Sequence, residues 1–383
     1  MSTALDPAAP WRAELVTTLV NRGVLSDPAW REAFATVPRE VFVPRFTRRL
    51  RGKNEQGDQL VHYDHATGGG TAEFLAAAYS DDSLVTRFNA TGTATSSSSQ
   101  PSLMAIMLEA LDIQPGNTVL EIGTGTGYQA ALLTHHLGDD AVTTIEVNPE
   151  IAIDAEQALA HVGYYPSVVC GNGADGVPVR APFDRIIATC GVLRIPPAWI
   201  TQTKPGGKIL ANVSFGLITL TVTAEGTATG QFDTGSIGFM RLHDGPTDPT
   251  PPLRDIVAMA RGEGATRRTT TRLQLDYPVF HPVMDFLAAL ILPGVHRTEL
   301  LIDPPTHVLV DPASGSWARA HADGADVVVT EHGPRILWDE LANVITEWIN
   351  LGQPDVSDYS LTIDATGTHH LCHPDSGWTR ALP

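Results

Sequence analysis

Apolar residues recur with helical spacing between residues 12 and 36. Leu15, Leu19 and Val20 share one face, and Trp30, Ala33 and Phe34 share another. Pro38 and Pro44 then bracket the segment VPREVFVP. The periodicity fades from residue 47 to about 95. That polar, glycine-rich stretch reads as a long loop or insertion with one short helix near residues 72–79. Regularity returns at Gln100. Pro101 opens a helix in which Leu103, Met107 and Leu111 form one stripe beside Met104 and Leu108, and Pro115-Gly116 ends it. Strands are expected at 118–122, 141–147, 166–170, 185–189 and 208–213, with helices at 128–137 and 150–162. Strands alternating with helices at this spacing imply an α/β fold with a doubly wound, mostly parallel sheet. Residues 218–222 and 237–242 are expected to close it as antiparallel strands.

The pattern breaks at GPTDPTPP, residues 245–252, and the tail beyond reads as α+β. Leu337, Leu341, Val344, Ile345 and Trp348 fall on one helix face, with Gly352 placed to cap its end. Tyr359, Leu361 and Ile363 alternate as a strand, and Thr366-Gly367 suggests a hairpin return through Leu371. Three segments follow: an N-terminal helical segment and insertion (1–95), a Rossmann-like domain (96–245) and a C-terminal α+β extension (246–383).

Composition adds exclusions. The formal net charge of −18 argues against nucleic acid and against an anionic membrane surface as partners. The first twelve residues lack a basic start followed by an apolar core, and the greasiest stretch, 286–292, is too short to span a bilayer. Three cysteines, Cys170, Cys190 and Cys372, have no ligand spacing, which fits a reducing cytoplasm and no metal. Few lysines and abundant alanine suggest a GC-rich bacterial genome.

Candidate chemistry centres on VLEIGTGTGY, Val119 to Tyr128. An apolar strand runs into Gly123, Gly125 and Gly127, with Glu121 upstream and Glu146 about twenty residues past the first glycine. A dinucleotide needs its pyrophosphate on a helix N-terminus and glycines spaced G-x-G-x-x-G. Here the spacing is G-T-G-T-G after an acid. That suits S-adenosylmethionine (SAM), whose ammonium needs acceptors. Glu146 is placed for the ribose hydroxyls. A third loop, Gly171, Asn172 and Gly173, follows the next strand and offers the Asn172 side chain to the adenine edge. Thr124, Tyr128 and Val147, beside these positions, complete the expected cofactor set.

On these residues the chain resembles the protein-L-isoaspartate O-methyltransferase family, whose members have a class I SAM-dependent methyltransferase fold. VPREVFVP is similar to its N-terminal signature. SSSSQPSLMAIMLEAL, from Ser96, is similar to its active-site loop and following helix. GNGADGVPVRAPFDRII and IPPAWITQTKPGG match the later stretches. Asn172 stands where the family usually has Asp, and Ser97, Ser98 and Ser99 stand where it usually shows Thr-Ile-Ser. The resemblance implies that Ser99, with Ser97 and Ser98, holds a substrate carboxylate. An aspartate carboxylate is ionised at neutral pH (unperturbed pKa about 3.9), so no general base is required. The tail is expected to have no counterpart in the repair enzyme. Phrases such as ILWDELANVITEWINLGQPD resemble a bacterial subgroup that accompanies ATP-grasp ligases maturing ribosomally made, crosslinked peptides (graspetides, a RiPP class). That subgroup implies methylation of an aspartate in a modified precursor peptide, leading to an aspartimide.

Other readings stay beside this one: isoaspartate repair, a non-catalytic peptide-binding module on the same scaffold, and a nicotinamide dehydrogenase, which the glycine spacing disfavours. His369, His370, Cys372 and His373 fall on an expected strand, where neighbours point to opposite faces, so at most two could share a metal. His135 and His136 end a helix and suit its dipole. Cys190 reads as a packed thiol, and Trp338 and Trp348 as core.

Overall fold

The helical faces read near the N-terminus form two elements, α1 (Ala9–Asn21) and α2 (Pro28–Thr36). Asp27 caps α2 by accepting from the Ala29 backbone N–H at 2.7 Å. Leu15, Leu19, Trp30, Ala33 and Phe34 are buried, as the periodicity requires. The computed structural model describes residues 6–50, 59–68, 71–90, 92–233, 237–245, 251, 253–262, 267–271, 281–324 and 326–383.

After α3 (Arg39–Phe42) comes the first departure from expectation. The segment read as irregular contains β1 (Arg45–Leu50), β2 (Gln59–Asp64), α4 (His65–Gly68), α5 (Ala72–Ala78), β3 (Leu84–Phe88) and β4 (Ala94–Ser98). Its strands form an antiparallel sheet ordered β2-β1-β3-β4. The strands are polar on their outer face and bury few apolar side chains, which hides the period-two signal. Phe46 faces Tyr63 across the β1–β2 pair, with ring centroids 5.0 Å apart. The short helix near 72–79 is α5.

From α6 (Pro101–Ala110) onward the chain builds the expected layers. β5 (Val119–Ile122), α7 (Tyr128–Leu137), β6 (Val142–Glu146), α8 (Pro149–His161), β7 (Ser167–Cys170), β8 (Phe183–Val192), α9 (Pro197–Thr201) and β9 (Thr203–Val213) follow in order. The parallel part is ordered β7-β6-β5-β8-β9, so the order reverses between β5 and β8. In such sheets a ligand site lies beyond the strand ends at that switch. All four residues of β5 are buried, as a strand covered on both faces requires. β10 (Gly216–Val222) and β11 (Ala228–Gln231) add antiparallel strands.

Residues 237–242 do not form the closing strand expected of them. They make one isolated parallel bridge, Arg241 to Gly191. The Gly191 N–H donates to the Met240 carbonyl at 2.7 Å, and the Leu242 N–H donates to the Gly191 carbonyl at 2.8 Å. The segment is thus a strap across the end of β8, and another strand takes the free edge of β11.

That strand comes from the tail. α10 (Leu253–Ala260), β12 (Arg267–Thr271), α11 (Pro282–Ile291), β13 (His296–Leu300), β14 (Thr306–Asp311), β15 (Ser316–Asp323), β16 (Asp326–His332) and α12 (Leu337–Asn350) include a five-stranded antiparallel sheet, β12-β16-β15-β14-β13. Then β17 (Ser360–Ile363), β18 (His369–His373) and β19 (Trp378–Ala381) return to the central sheet, where β17 pairs antiparallel with β11. The sheet therefore has ten strands, and the expected boundary at 245/246 is crossed by its hydrogen bonds. Residues 253–350 are an insertion into that sheet. α12 buries Leu337, Trp338, Leu341, Val344, Ile345 and Trp348, and β17 and β18 form the expected hairpin.

Candidate active site

A cavity of about 610 Å³ opens beyond the ends of β5, β6 and β8, at the switch point. Several elements line it, and three stretches set its chemistry.

The first wall is the glycine loop with its two acids. Glu121, on β5, is fully buried. Its Oε2 accepts from the Thr144 hydroxyl at 2.7 Å, and the Thr124 hydroxyl lies 2.7 Å from that of Thr144. Glu121 Oε1 has no hydrogen-bond partner among the described residues. Burial, opposed by the Thr144 bond and aided by the nearby charge of Glu146, pushes Glu121 up to about 8. Glu146 ends β6. Its Oε2 accepts from the Gly125 N–H at 3.0 Å and its Oε1 from the Asn148 N–H at 3.1 Å. A carboxylate oxygen accepts two hydrogen bonds, so each keeps one free direction. Gly123 has φ of 92°, and a Cβ there would meet Thr189 Oγ1 at 3.0 Å. Glycine is needed on both counts.

The second wall is the serine strand. Thr95 through Ser99 all line the cavity. Alternation along β4 separates buried Ser96 and Ser98 from half-buried Ser97 and Ser99. A Cβ on Gly125 would stand 3.5 Å from the Ser97 carbonyl, so this strand and the glycine loop nearly touch. Arg39 fixes the strand's end. Fully buried, it donates from Nη1 to the carbonyls of Ala78 (2.9 Å) and Ser80 (2.8 Å), and from Nη2 to those of Asp82 (3.2 Å) and Ser99 (3.1 Å). Burial lowers it to about 10, which leaves it cationic at neutral pH. Asp81, in the same loop, accepts from the Ser102 N–H at 2.8 Å at the start of α6.

The third wall is the strap, residues 237–243. The buried Asn212 amide donates to the Ile237 carbonyl at 2.7 Å, and the Ile237 N–H donates to the Phe215 carbonyl at 2.7 Å.

Of the expected cofactor residues, Glu121, Gly123, Thr124, Gly125, Tyr128, Glu146, Val147 and Gly173 line the cavity together with Ser97, Ser98 and Ser99. Gly127, Gly171 and Asn172 lie outside that lining. Gly127 backs onto Ala155 of α8. The Asn172 side-chain Oδ1 accepts from the Ala174 N–H at 2.9 Å and starts a tight turn. Sequence reading missed Arg39, Gln129, Thr189 and the strap. Arg39 sat inside a segment that was noticed, but nothing local marks a guanidinium whose partners lie 39 to 60 residues away.

Cys190 also lines the cavity, and burial pushes its thiol up to about 12. His369 is buried, its Nε2 accepting from the Ile195 N–H at 3.0 Å, and burial pushes it down to about 4. His370 pairs with Asp364 and His373 with Ser376. Among the described residues no group of three or more His, Cys, Asp or Glu could hold a metal ion. Nor is any described helix long and apolar enough to cross a membrane.

Comparison with known proteins gives a consistent result. The family model for protein-L-isoaspartate(D-aspartate) O-methyltransferase (PCMT) matches residues 70–227. A protein-L-isoaspartate O-methyltransferase of Polaromonas sp. is 36% identical over 200 residues, covering 52% of this chain and 70% of the relative. That of Ignicoccus hospitalis is 33% identical over 198 residues, covering 51% and 78%. A solved protein-L-isoaspartate O-methyltransferase structure aligns at a TM-score of 0.54 and 23% identity, covering 94% of this chain and 98% of its own. Coverage that high reaches well past residue 245. The expectation that the tail lacks a counterpart in the repair enzyme is therefore overturned at the level of fold.

Proposed function

Because this chain belongs to the protein-L-isoaspartate O-methyltransferase family, we propose that it transfers a methyl group to an aspartate-derived carboxylate in a peptide, and that this cavity is where it does so. It is a SAM-dependent carboxyl O-methyltransferase. The residues present suit the cofactor. Two acids, one buried with an unpartnered oxygen, stand in a cavity within the usual range for small-molecule sites, about 300–1,000 Å³. SAM supplies a methyl group activated by a sulfonium. Its positive charge favours the ionised form of Glu121, which burial by itself opposes.

The chain's own part is orientation and exclusion of water. Glu146 presents its remaining acceptor directions to ribose hydroxyls. Ser97 on β4 and Ser99 just beyond its end offer hydroxyls that hold the acceptor carboxylate without taking a proton. Cys190 stays a thiol, so the strongest potential nucleophile in the cavity does not compete for the methyl group. The observation that carries this reading is the closeness of the two walls: the acidic glycine loop faces the serine strand across one cavity, with Gly125 against the Ser97 carbonyl. Incubation with methyl-labelled SAM and an isoaspartyl peptide should give a base-labile methyl ester. Absence of label on both isoaspartyl and aspartyl peptides, with no SAM binding by calorimetry, would leave a peptide-binding module.

The finer reading is an aspartate in an ATP-grasp-crosslinked precursor. It is supported by the likeness of the α12 region to that subgroup and by Ser97-Ser98-Ser99 in place of Thr-Ile-Ser. The ester would be attacked by the following backbone amide, expelling methanol and closing an aspartimide. A crosslinked precursor should then gain one methyl and afterwards show a net loss of water. Methylation of isoaspartyl peptides alone would favour repair.

A further inference from the structure

Among the described residues, one lysine or arginine lines the cavity: Arg241, on the strap. Its side chain is exposed and forms no ion pair or side-chain hydrogen bond with another described residue. Its backbone, by contrast, is held on both sides, because Met240 and Leu242 both bond to Gly191. Gly191 has to be glycine for this: a Cβ there would meet Asn212 Oδ1 at 3.0 Å and the Phe239 carbonyl at 3.4 Å. An unpaired guanidinium is thus mounted on a fixed strap that lines the same cavity as Glu121 and Glu146, and burial together with its charge lowers the pKa of His296 on β13.

The chemistry sets a problem that such a group solves. The acceptor is an anion, the chain carries a net charge of −18, and two acids already occupy the cavity. An approaching carboxylate is repelled unless a cation meets it. A guanidinium offers two parallel N–H donors matching the two carboxylate oxygens. We propose that Arg241 binds the acceptor carboxylate of the incoming peptide and discriminates it from the ester that leaves. This rests on the carboxyl-methyltransferase reading. In the reaction a carboxylate oxygen forms a bond to the methyl carbon as the carbon–sulfur bond breaks. The bonding pair goes to sulfur, and no proton moves. The anion becomes a neutral ester and the sulfonium a neutral thioether. Arg241 therefore loses its partner's charge at the moment of transfer, which weakens product binding.

The test is steady-state kinetics of the full chain with an isoaspartyl peptide and saturating SAM. Wild type is compared with Arg241→Ala, Arg241→Lys and Arg241→Glu. Loss of one charge-assisted contact should raise the peptide KM about ten- to a hundredfold in the alanine variant. The glutamate variant should raise it further and the lysine variant restore part of it. The kcat should move far less than KM, and SAM affinity by calorimetry should be unchanged. Inhibition by the methyl-ester peptide should be weak and equal in wild type and Arg241→Ala. An unchanged peptide KM in Arg241→Ala overturns the proposal while leaving the methyltransferase reading standing. An equal loss of SAM affinity overturns it too, since the role would not be acceptor-specific. If the wild type methylates none of an isoaspartyl, an aspartyl or a crosslinked precursor peptide, that is seen before any substitution, and it removes the parent reading and this one together; where only the precursor is methylated, the same kinetics are run with it.

Discussion

On the side of the cavity proposed for the cofactor, Glu121, Thr124, Gly125, Thr144 and Glu146 all lie within residues 121–146 and bond to one another. On the side proposed for the acceptor, Ser99, Arg39, Asn212 and Arg241 come from four distant places and are held through backbone carbonyls and a single bridge. A wall written locally fails through its own residues. A wall assembled from afar fails through whatever sets its pieces in position. Substitutions on the first should therefore strike SAM affinity, and those on the second should strike peptide use or stability while sparing SAM.

The largest effect should come from Gly123→Val. A β-branched residue is strained at φ 92°, and its Cβ would press on Thr189 Oγ1. We expect SAM affinity by calorimetry to fall at least a hundredfold; binding within threefold of wild type would break the claim that this loop is pre-shaped for the cofactor. Next, Arg39→Met leaves four carbonyls without their donor. It should cost about 3–5 kcal/mol in urea unfolding. In whatever remains folded, peptide KM should rise more than SAM affinity falls, and Arg39→Lys should recover part of both. A larger loss on the SAM side would dissolve the distinction between the walls.

Glu121 sharpens the comparison through pH. Burial raises its folded-state value from 4.5 to about 8, so the folded protein binds this proton more tightly than the unfolded chain does. The associated stability is full below about pH 4.5 and is lost as pH rises towards about 8. Thermal denaturation of the SAM-free protein should show this decline, at most about 5 kcal/mol. Glu121→Gln should flatten it, and SAM should shrink it. An unchanged slope in Glu121→Gln would place the titration elsewhere. The smallest effect concerns thiols. At pH 8, exposed Cys170 should react with iodoacetamide while Cys190, held up to about 12, reacts at least about tenfold more slowly. Peptide mapping by mass spectrometry reads this directly, and equal rates would mean that the cofactor wall opens freely.

The same contrast explains what the sequence disclosed. The glycine loop, α7, α8 and the parallel strands were legible because each rests on local spacing, and α7 has the expected bounds of residues 128–137. The sheet of β1 to β4 was not, because a strand such as RFTRRL buries only the adjacent Phe46 and Thr47 and reads as polar loop. The strap read as a strand because its apolar residues suit one. Nothing within residues 237–242 reveals that β17 would take the edge of β11. At the site, Glu121, Glu146 and Ser97 to Ser99 were named from local spacing and line the cavity, whereas Arg39 and Asn212, which hold other segments, and Arg241 on the strap carry no local mark. Asn172 was read as facing the adenine, yet its oxygen is engaged in its own turn.

The insertion of residues 253–350 into the central sheet has a consequence for synthesis. β11 ends at Gln231, and its neighbour β17 begins at Ser360. At about 5–20 residues per second, the ribosome needs on the order of ten seconds to deliver the missing partner. Throughout that interval β11 presents an unpaired edge, the kind of surface that recruits other strands. Nascent chains arrested before residue 360 should accordingly show rapid amide exchange across β11 and greater aggregation than chains arrested beyond it. Equal protection in both would mean that the edge is covered some other way. The protein reads out its tail late, and its catalytic sheet is finished only after that.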